Sequence, residues 1–178
     1  MSPKGNAVLM HYRTETSDWN TLWSALNEDE YRLGGRTFTG YALDIGAHIG
    51  SVGLGLAIDN PGLTVICVEP VPDNAELLRR NADANGLSIV VYEAAGGGPA
   101  DGRTTINYRY RGSVSAEHHA FIGDASLIEG TGQPLLEHET RDIGCVSIGL
   151  ILREQGIDRL SLVKIDCEGC EFRVLTDP

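Results

Sequence analysis

Lysine is nearly absent from this sequence: Lys4 and Lys164 are the only two, and arginine supplies the remaining basic residues. The 14 basic residues face 25 acids, a formal net charge of −11. A surface of that sign repels a phosphate backbone, which argues against nucleic acid as a partner. Long apolar runs are missing too. Nothing approaches the roughly 18–20 apolar residues of a membrane-spanning helix. The run Ala7-Val8-Leu9-Met10 is too short for the core of a secretion signal. The expectation is a cytoplasmic protein that uses no membrane. Cysteine is scarce, four in 178 residues. Cys67 and Cys145 lie in apolar, strand-like segments and read as buried small hydrophobes. Cys167 and Cys170 form a lone C-x-x-C, without the second pair or spaced histidines of a structural zinc. Packing is the preferred reading for them, and no metal site is expected.

What is present is an ordinary globular composition, 42% apolar and 22% charged, with a length that suits one domain. Residues 1–35 read as a helical lead-in and 36–178 as an α/β core. Asp18 is placed to cap a helix in which Trp19, Leu22, Trp23 and Leu26 recur on one face. Tyr41 to Ile45 is a short buried strand, and a helix runs from the glycine turn to about Ile58. Thr64 to Val68 is a second buried strand. Pro72 opens a helix with the stripe Val71, Ala75, Leu78 and Ala82, and Gly86 stops it. Ser88 to Tyr92 is a third strand. This alternation marks a mostly parallel Rossmann-like sheet with helices on both faces.

From Gly96 to Glu139 the rhythm breaks. Thr104 to Tyr110 reads as a strand and His118 to Pro134 as a surface loop. Order returns with a strand near Ile143 to Val146, a helix from Ser147 to Gln155 stopped at Gly156, a buried strand from Leu160 to Ile165, and a short helix near Cys170 to Leu175.

The chemistry concentrates where strands end. Asp44-Ile45-Gly46-Ala47-His48-Ile49-Gly50 is a strand feeding straight into a helix, a turn that lets a ligand approach the backbone closely. Gly46 and Gly50 stand four apart with His48 between, so the G-x-G-x-x-G pattern of a dinucleotide site fails. Asp44 has the chemistry to accept the ammonium of an amino-acid moiety, and Ser51 opens the helix beside it. Glu69, nineteen residues past Gly50 and followed by Pro70, stands where an acid grips ribose hydroxyls in nucleoside-binding α/β proteins. Glu93 and Ala94, past the third strand, are placed for an adenine edge. The fourth strand ends in Lys164-Ile165-Asp166-Cys167-Glu168-Gly169-Cys170-Glu171. Strand alternation puts Lys164 and Asp166 on one face, where they are expected to pair. Three readings stay open on these residues: a methyltransferase, an NAD-dependent oxidoreductase, and a non-catalytic nucleoside-binding module.

The segments Asp44 to Gly50, Val68-Glu69-Pro70 and Lys164 to Glu171 together resemble the signature segments of FkbM-type methyltransferases, and Asp18 to Tyr31 resembles that family's N-terminal stretch. The resemblance implies an S-adenosylmethionine (SAM) cofactor, converted to S-adenosylhomocysteine, and a small-molecule acceptor methylated on a hydroxyl, a sugar or polyketide-like metabolite. By matching positions, Asp44, Gly46, His48, Gly50 and Glu69 would line the cofactor site, with Asp166 and Glu168 at the reacting end as candidates for proton removal. The family adds strands beyond the last helix. The expectation is therefore a sheet lacking its C-terminal strands, with an open edge at Leu160 to Ile165: either a second copy covers it, or the chain is a truncated piece whose acceptor pocket is incomplete.

Overall fold

The computed structural model describes residues 1–98, 102–109, 121–122, 138–167 and 169–176, with 107–109, 121–122 and 138–140 described by backbone alone. Eight strands are seen among them: β1 (Gly40–Ile45), β2 (Leu63–Val68), β3 (Val90–Tyr92), β4 (Ala95–Gly96), β5 (Arg103–Arg109), β6 (Phe121–Ile122), β7 (His138–Val146) and β8 (Leu162–Ile165). The helices are α1 (Asp18–Leu22), extended by a π-helical turn over Trp23–Asn27, then α2 (Ser51–Asp59), α3 (Pro72–Ala84), α4 (Ile148–Gln155) and α5 (Glu171–Thr176). None of them is long and apolar enough to cross a membrane.

The expected Rossmann-like α/β architecture is what forms. One sheet has the order β3-β2-β1-β8 with every pair parallel. Its two central strands are apolar on both faces, as a sheet covered on both sides requires. Leu43, Ile45, Ile66 and Val68 point to one face and pack with Ile151, Ile157 and Val174. Ala42, Val65 and Cys67 point to the other and pack with Val52, Leu56 and Leu78. The stripe read on α3 is buried as expected, Pro72 opens that helix, and Ser147 caps α4 by accepting from the Leu150 N–H at 3.0 Å.

The broken middle region makes a second sheet of order β4-β7-β5-β6. The strand read at Thr104 to Tyr110 is β5, and it lies antiparallel to β7, which begins at His138, before the Ile143 read from sequence. Within the stretch read as a loop, His118 to Pro134, only the short strand β6 falls inside the described residues. Among the described strands β8 pairs with β1 alone, and Val163 is exposed.

Two N-terminal readings need correction. Ser17, not Asp18, stands at the N-cap of α1, and no side chain caps it. The Asp18 carboxylate is fully buried and taken by Arg13. Nor do the tryptophans face the core. Trp19 and Trp23 are 50% and 45% exposed; Trp19 lies tilted against Tyr12 and against Trp23 along the outside, ring centroids 5.5 and 5.8 Å apart, while Leu22, Ala25 and Leu26 turn inward. The period marks the inner face correctly at Leu22 and Leu26, while the tryptophans sit at its outer border and pack on each other and on Tyr12.

Gly46 shows how tightly the parts are fitted. Its φ is +77°, and a Cβ there would stand 1.9 Å from the Asp166 carbonyl oxygen, so the end of β8 packs directly on the turn after β1. We expect Gly46→Ala to destabilise the fold by about 2–4 kcal/mol through backbone strain and overpacking together. Gly144→Ala, where a Cβ meets nothing within 4 Å, should stay within about 1 kcal/mol. Urea titration of the two variants checks the contrast.

Candidate functional site

The carboxyl ends of β1, β2 and β8 meet at a cleft of about 150 Å³. The glycine turn contributes Gly46, Ala47, His48, Ser51 and Val52; the end of β2 and the start of α3 contribute Glu69, Pro70 and Asn74; and the end of β8 contributes Lys164, Asp166 and Cys167. The fourth wall is N-terminal: Ser17, Thr21, Glu30 and Tyr31. Of the residues singled out from the sequence, Gly46, His48, Ser51, Glu69, Pro70 and Asp166 come together here. Asp44, Gly50, Glu93 and Ala94 do not line the cleft, and Glu168 lies outside the described residues.

The turn is wound tightly. Gly46, His48 and Gly50 all take positive φ, at +77°, +51° and +92°. Histidine is among the non-glycine residues that tolerate this region. A Cβ on Gly50 would press into Leu54 and Leu78, so this glycine seats α2 on α3. Glu69 braces the turn. Its Oε2 accepts from the His48 N–H at 2.8 Å, while Oε1 accepts from the Val71 N–H at 3.0 Å and from Asn74 Nδ2 at 3.2 Å. With three donors on four lone-pair positions, the carboxylate keeps acceptor capacity for one more.

Asp44 is 1% exposed and stands opposite Lys164 across the β1–β8 register. The Lys164 ammonium lies 3.1 Å from Asp44 Oδ1 and donates to the Gly46 carbonyl at 2.8 Å. The sequence reading paired Lys164 with Asp166 instead. The reason for the difference is the partner strand: side chains in register on adjacent parallel strands sit closer than i, i+2 neighbours on one strand. Burial alone favours neutral Asp44 and raises its pKa, and Lys164 opposes that. For Lys164, burial lowers the pKa, but Asp44 and then Asp166 outweigh it and the net shift is upward.

Asp166 is held by the Tyr31 hydroxyl, which donates to Oδ2 at 2.5 Å. Burial, and then this hydrogen bond to a carboxylate, push the Tyr31 phenol far above its usual range, so it stays a donor. Burial and then Asp166 raise the neighbouring Glu30. The Lys164 ammonium lies 5.6 Å from the Tyr31 ring centroid, a cation–π distance. Cys167 and Cys170 are joined by a disulfide, which corrects the packing-only reading. The bridge closes the turn that follows Asp166, where Cys167 and Gly169 donate backbone N–H groups to Glu171.

Sequence reasoning missed Tyr31, Glu30, Asn74 and the contacts of Lys164 with Asp44 and the Gly46 carbonyl. Asn74 left a signal: a polar residue, itself 1% exposed, beside the apolar stripe of α3 demands partners. Tyr31 left none, because its contact depends on how a segment 135 residues away folds back.

The chain belongs to the methyltransferase FkbM domain family, whose model matches residues 44–177. No curated protein matches it. Among solved structures it is similar to the YcgJ protein from Bacillus subtilis, at 22% identity over 32% of this chain and 24% of that one, with a TM-score of 0.29. It is also similar to a hypothetical protein of Thermus thermophilus, at 24% identity over 53% of each chain and a TM-score of 0.35. A third, the StiE O-MT segment, is 17% identical over 48% of this chain and 29% of that one, with a TM-score of 0.32. The chain thus spans between 24% and 53% of the lengths of these structures.

Removing Lys164 tests the electrostatic design. Lys164→Met leaves Asp44 buried without its counter-charge and should cost about 3–5 kcal/mol. Because the folded chain raises the Lys164 pKa, its stabilisation is complete below the ordinary lysine value of about 10.4 and is lost as pH climbs through the raised one. Denaturation from neutral to alkaline pH should show that loss in the wild type, and Lys164→Met should lack this component.

Proposed function

We propose that this chain transfers a methyl group from SAM to a hydroxyl of a small metabolite, a sugar or polyketide-like molecule. The observation that carries the reading is the charge and polarity of the cleft. Among the described residues three carboxylates line it, Glu30, Glu69 and Asp166, and its one lysine is already paired with Asp44. Such a site suits a ligand bearing an ammonium, a sulfonium and a ribose diol, and opposes the pyrophosphate of a dinucleotide. The lining also includes polar atoms with no partner among the described residues: Ser51 Oγ and His48 Nδ1, both buried. Buried groups left bare are costly, and a polar ligand arriving at the turn would satisfy them.

On this reading Glu69 holds the ribose with its remaining acceptor position. Gly46, His48 and Ser51 hold the methionine end. Pro70 shapes the floor; Ala94 and Glu93, the latter paired with Arg79 at 3.0 Å, lie outside the cleft's lining after the strand beside β2, where an adenine extending past Pro70 would meet them. Asp44 acts through Lys164, and Gly50 seats the helix. When bound, the cofactor supplies a methyl group already activated on a sulfonium. The chain must align the acceptor, exclude water and remove its hydroxyl proton. Asp166 is assigned that proton, with Glu168 beside it in sequence. Tyr31, locked as a donor on Oδ2, leaves Oδ1 as the basic atom.

Calorimetry and transfer from methyl-labelled SAM test the assignment. Glu69→Gln keeps the shape but loses charge, so SAM should bind about ten- to a hundredfold more weakly. Asp166→Asn should lower turnover by about a hundredfold or more while SAM affinity stays within about threefold. Wild-type protein that binds NAD in preference to SAM would overturn the reading in favour of an oxidoreductase.

A further inference from the structure

The family match begins at residue 44, yet the N-terminal segment before it is stitched into the site by side chains that serve both. Three asparagines stand on one side of α3 and its C-cap, at positions 74, 81 and 85. Asn85 accepts from the Leu9 N–H at 2.9 Å and donates to the Leu9 carbonyl at 2.7 Å. Asn81 repeats this one step along, accepting from the His11 N–H at 2.6 Å and donating to the His11 carbonyl at 3.1 Å. Asn74 accepts from the Arg13 guanidinium at 2.6 Å. Residues 9 to 13 thus form a strap whose backbone at 9 and 11 is bonded by asparagine amides in place of a partner strand, while the Arg13 N–H donates to Asp18 Oδ2 at 2.9 Å. Val8 and Met10, the positions between, pack on Leu22, Leu26, Ile49 and Leu77.

Two of these asparagines also hold the glycine turn. Asn81, 0% exposed, gives a second bond to the Ile49 carbonyl at 3.0 Å. Asn74 donates to Glu69 Oε1. Arg13 closes the circuit with a bidentate pair to Asp18 at 2.9 Å, and Asp18 Oδ1 lies 3.3 Å from His48 Nε2. Burial would raise the Asp18 pKa, but His48 and Arg13 together overcome it and hold the carboxyl well below its ordinary range. The chain Asp18–His48–Glu69–Asn74–Arg13–Asp18 is therefore a closed polar ring. If the strap leaves, Asn81 Oδ1, Asn74 Oδ1 and the Asp18 carboxylate lose partners inside the protein, each at the cost of an unsatisfied buried group.

We infer that Arg13, Asp18 and Asn74 are positioning residues for the cofactor pair Glu69 and His48, so that strap docking and cofactor binding are coupled. This deepens the functional reading above and rests on it. Coupling is reciprocal: what the strap contributes to the ligand, the ligand returns to the strap.

The test is amide hydrogen exchange on the full chain with S-adenosylhomocysteine as probe, together with calorimetry. Bound S-adenosylhomocysteine should slow exchange across residues 8–13 by about fivefold or more, although none of these residues lines the cleft. Asn85→Ala removes the two bonds at the far end of the strap, together with one to the Asn81 carbonyl at 2.7 Å, and touches nothing in the cleft. It should still weaken S-adenosylhomocysteine binding by about three- to tenfold. Arg13→Gln, which opens the ring, should weaken it by about tenfold or more and abolish the ligand-dependent protection, with Arg13→Lys restoring part of it. Should Asn85→Ala fail to fold, Arg13→Gln and the wild-type exchange carry the test. A wild type that binds the probe without protecting the strap overturns this inference alone. A wild type that does not bind the probe overturns the functional reading and the inference with it.

Discussion

The site depends on a lysine placed where a lysine is costly. Lys164 lies in the sheet next to Asp44, beneath α2, and its ammonium spans the Asp44 carboxylate and the Gly46 carbonyl. Burying either charge alone would cost several kcal/mol, so each holds the other in place. The consequence extends beyond the pair. Fixing Lys164 fixes the register of β8 against β1, and the Asp166 carbonyl then occupies the space that a side chain at Gly46 would need. The same ammonium lies over the Tyr31 ring, and Tyr31 grips Asp166. One cation thus ties the first strand, the glycine turn, the fourth parallel strand and the N-terminal wall of the cleft.

Around that anchor the turn is preorganised. Of its three positive-φ residues, Gly46 and Gly50 adopt that region without steric cost, and His48 alone carries backbone strain that the surroundings must hold. Here the Glu69 carboxylate accepts the turn's His48 N–H, Asn81 donates to its Ile49 carbonyl, and Lys164 donates to its Gly46 carbonyl. A backbone so constrained presents its polar groups with little reorganisation, the property a site needs in order to orient a ligand. The acid at the end of β2 braces the turn, and on the proposed reading its spare acceptor position serves a ligand as well. Replacing it disturbs both, which is why the glutamine variant is more informative than alanine.

The sheet was legible because its signals are local. The short strand signal at Tyr41 to Ile45 and the β-branched run at Thr64 to Val68, bounded by glycine and proline, leave few alternatives, and Ser147 and Gly156 bracket α4 with ordinary cap chemistry. The turn and Glu69 were legible for the same reason, since ligand chemistry at strand ends follows chain order. What could not be read depends on tertiary partners. Asp18 has the composition of a cap, but a nearby arginine and histidine give a buried carboxylate a better environment. Lys164 was matched to Asp166 because sequence shows neighbours along one strand and hides those across the sheet. The N-terminal wall was invisible because its contacts, such as Tyr31 to Asp166, close over long separations.

The central claim is that the glycine turn and Glu69 form a SAM site. A crystal structure of the chain with S-adenosylhomocysteine tests it most directly. The account predicts a ribose hydroxyl donating to Glu69 and the amino-acid end of the ligand at His48 and Ser51, satisfying the polar atoms now bare there. Ligand bound elsewhere, or a cleft in which Glu69 keeps its three present donors and meets no ribose, would contradict it.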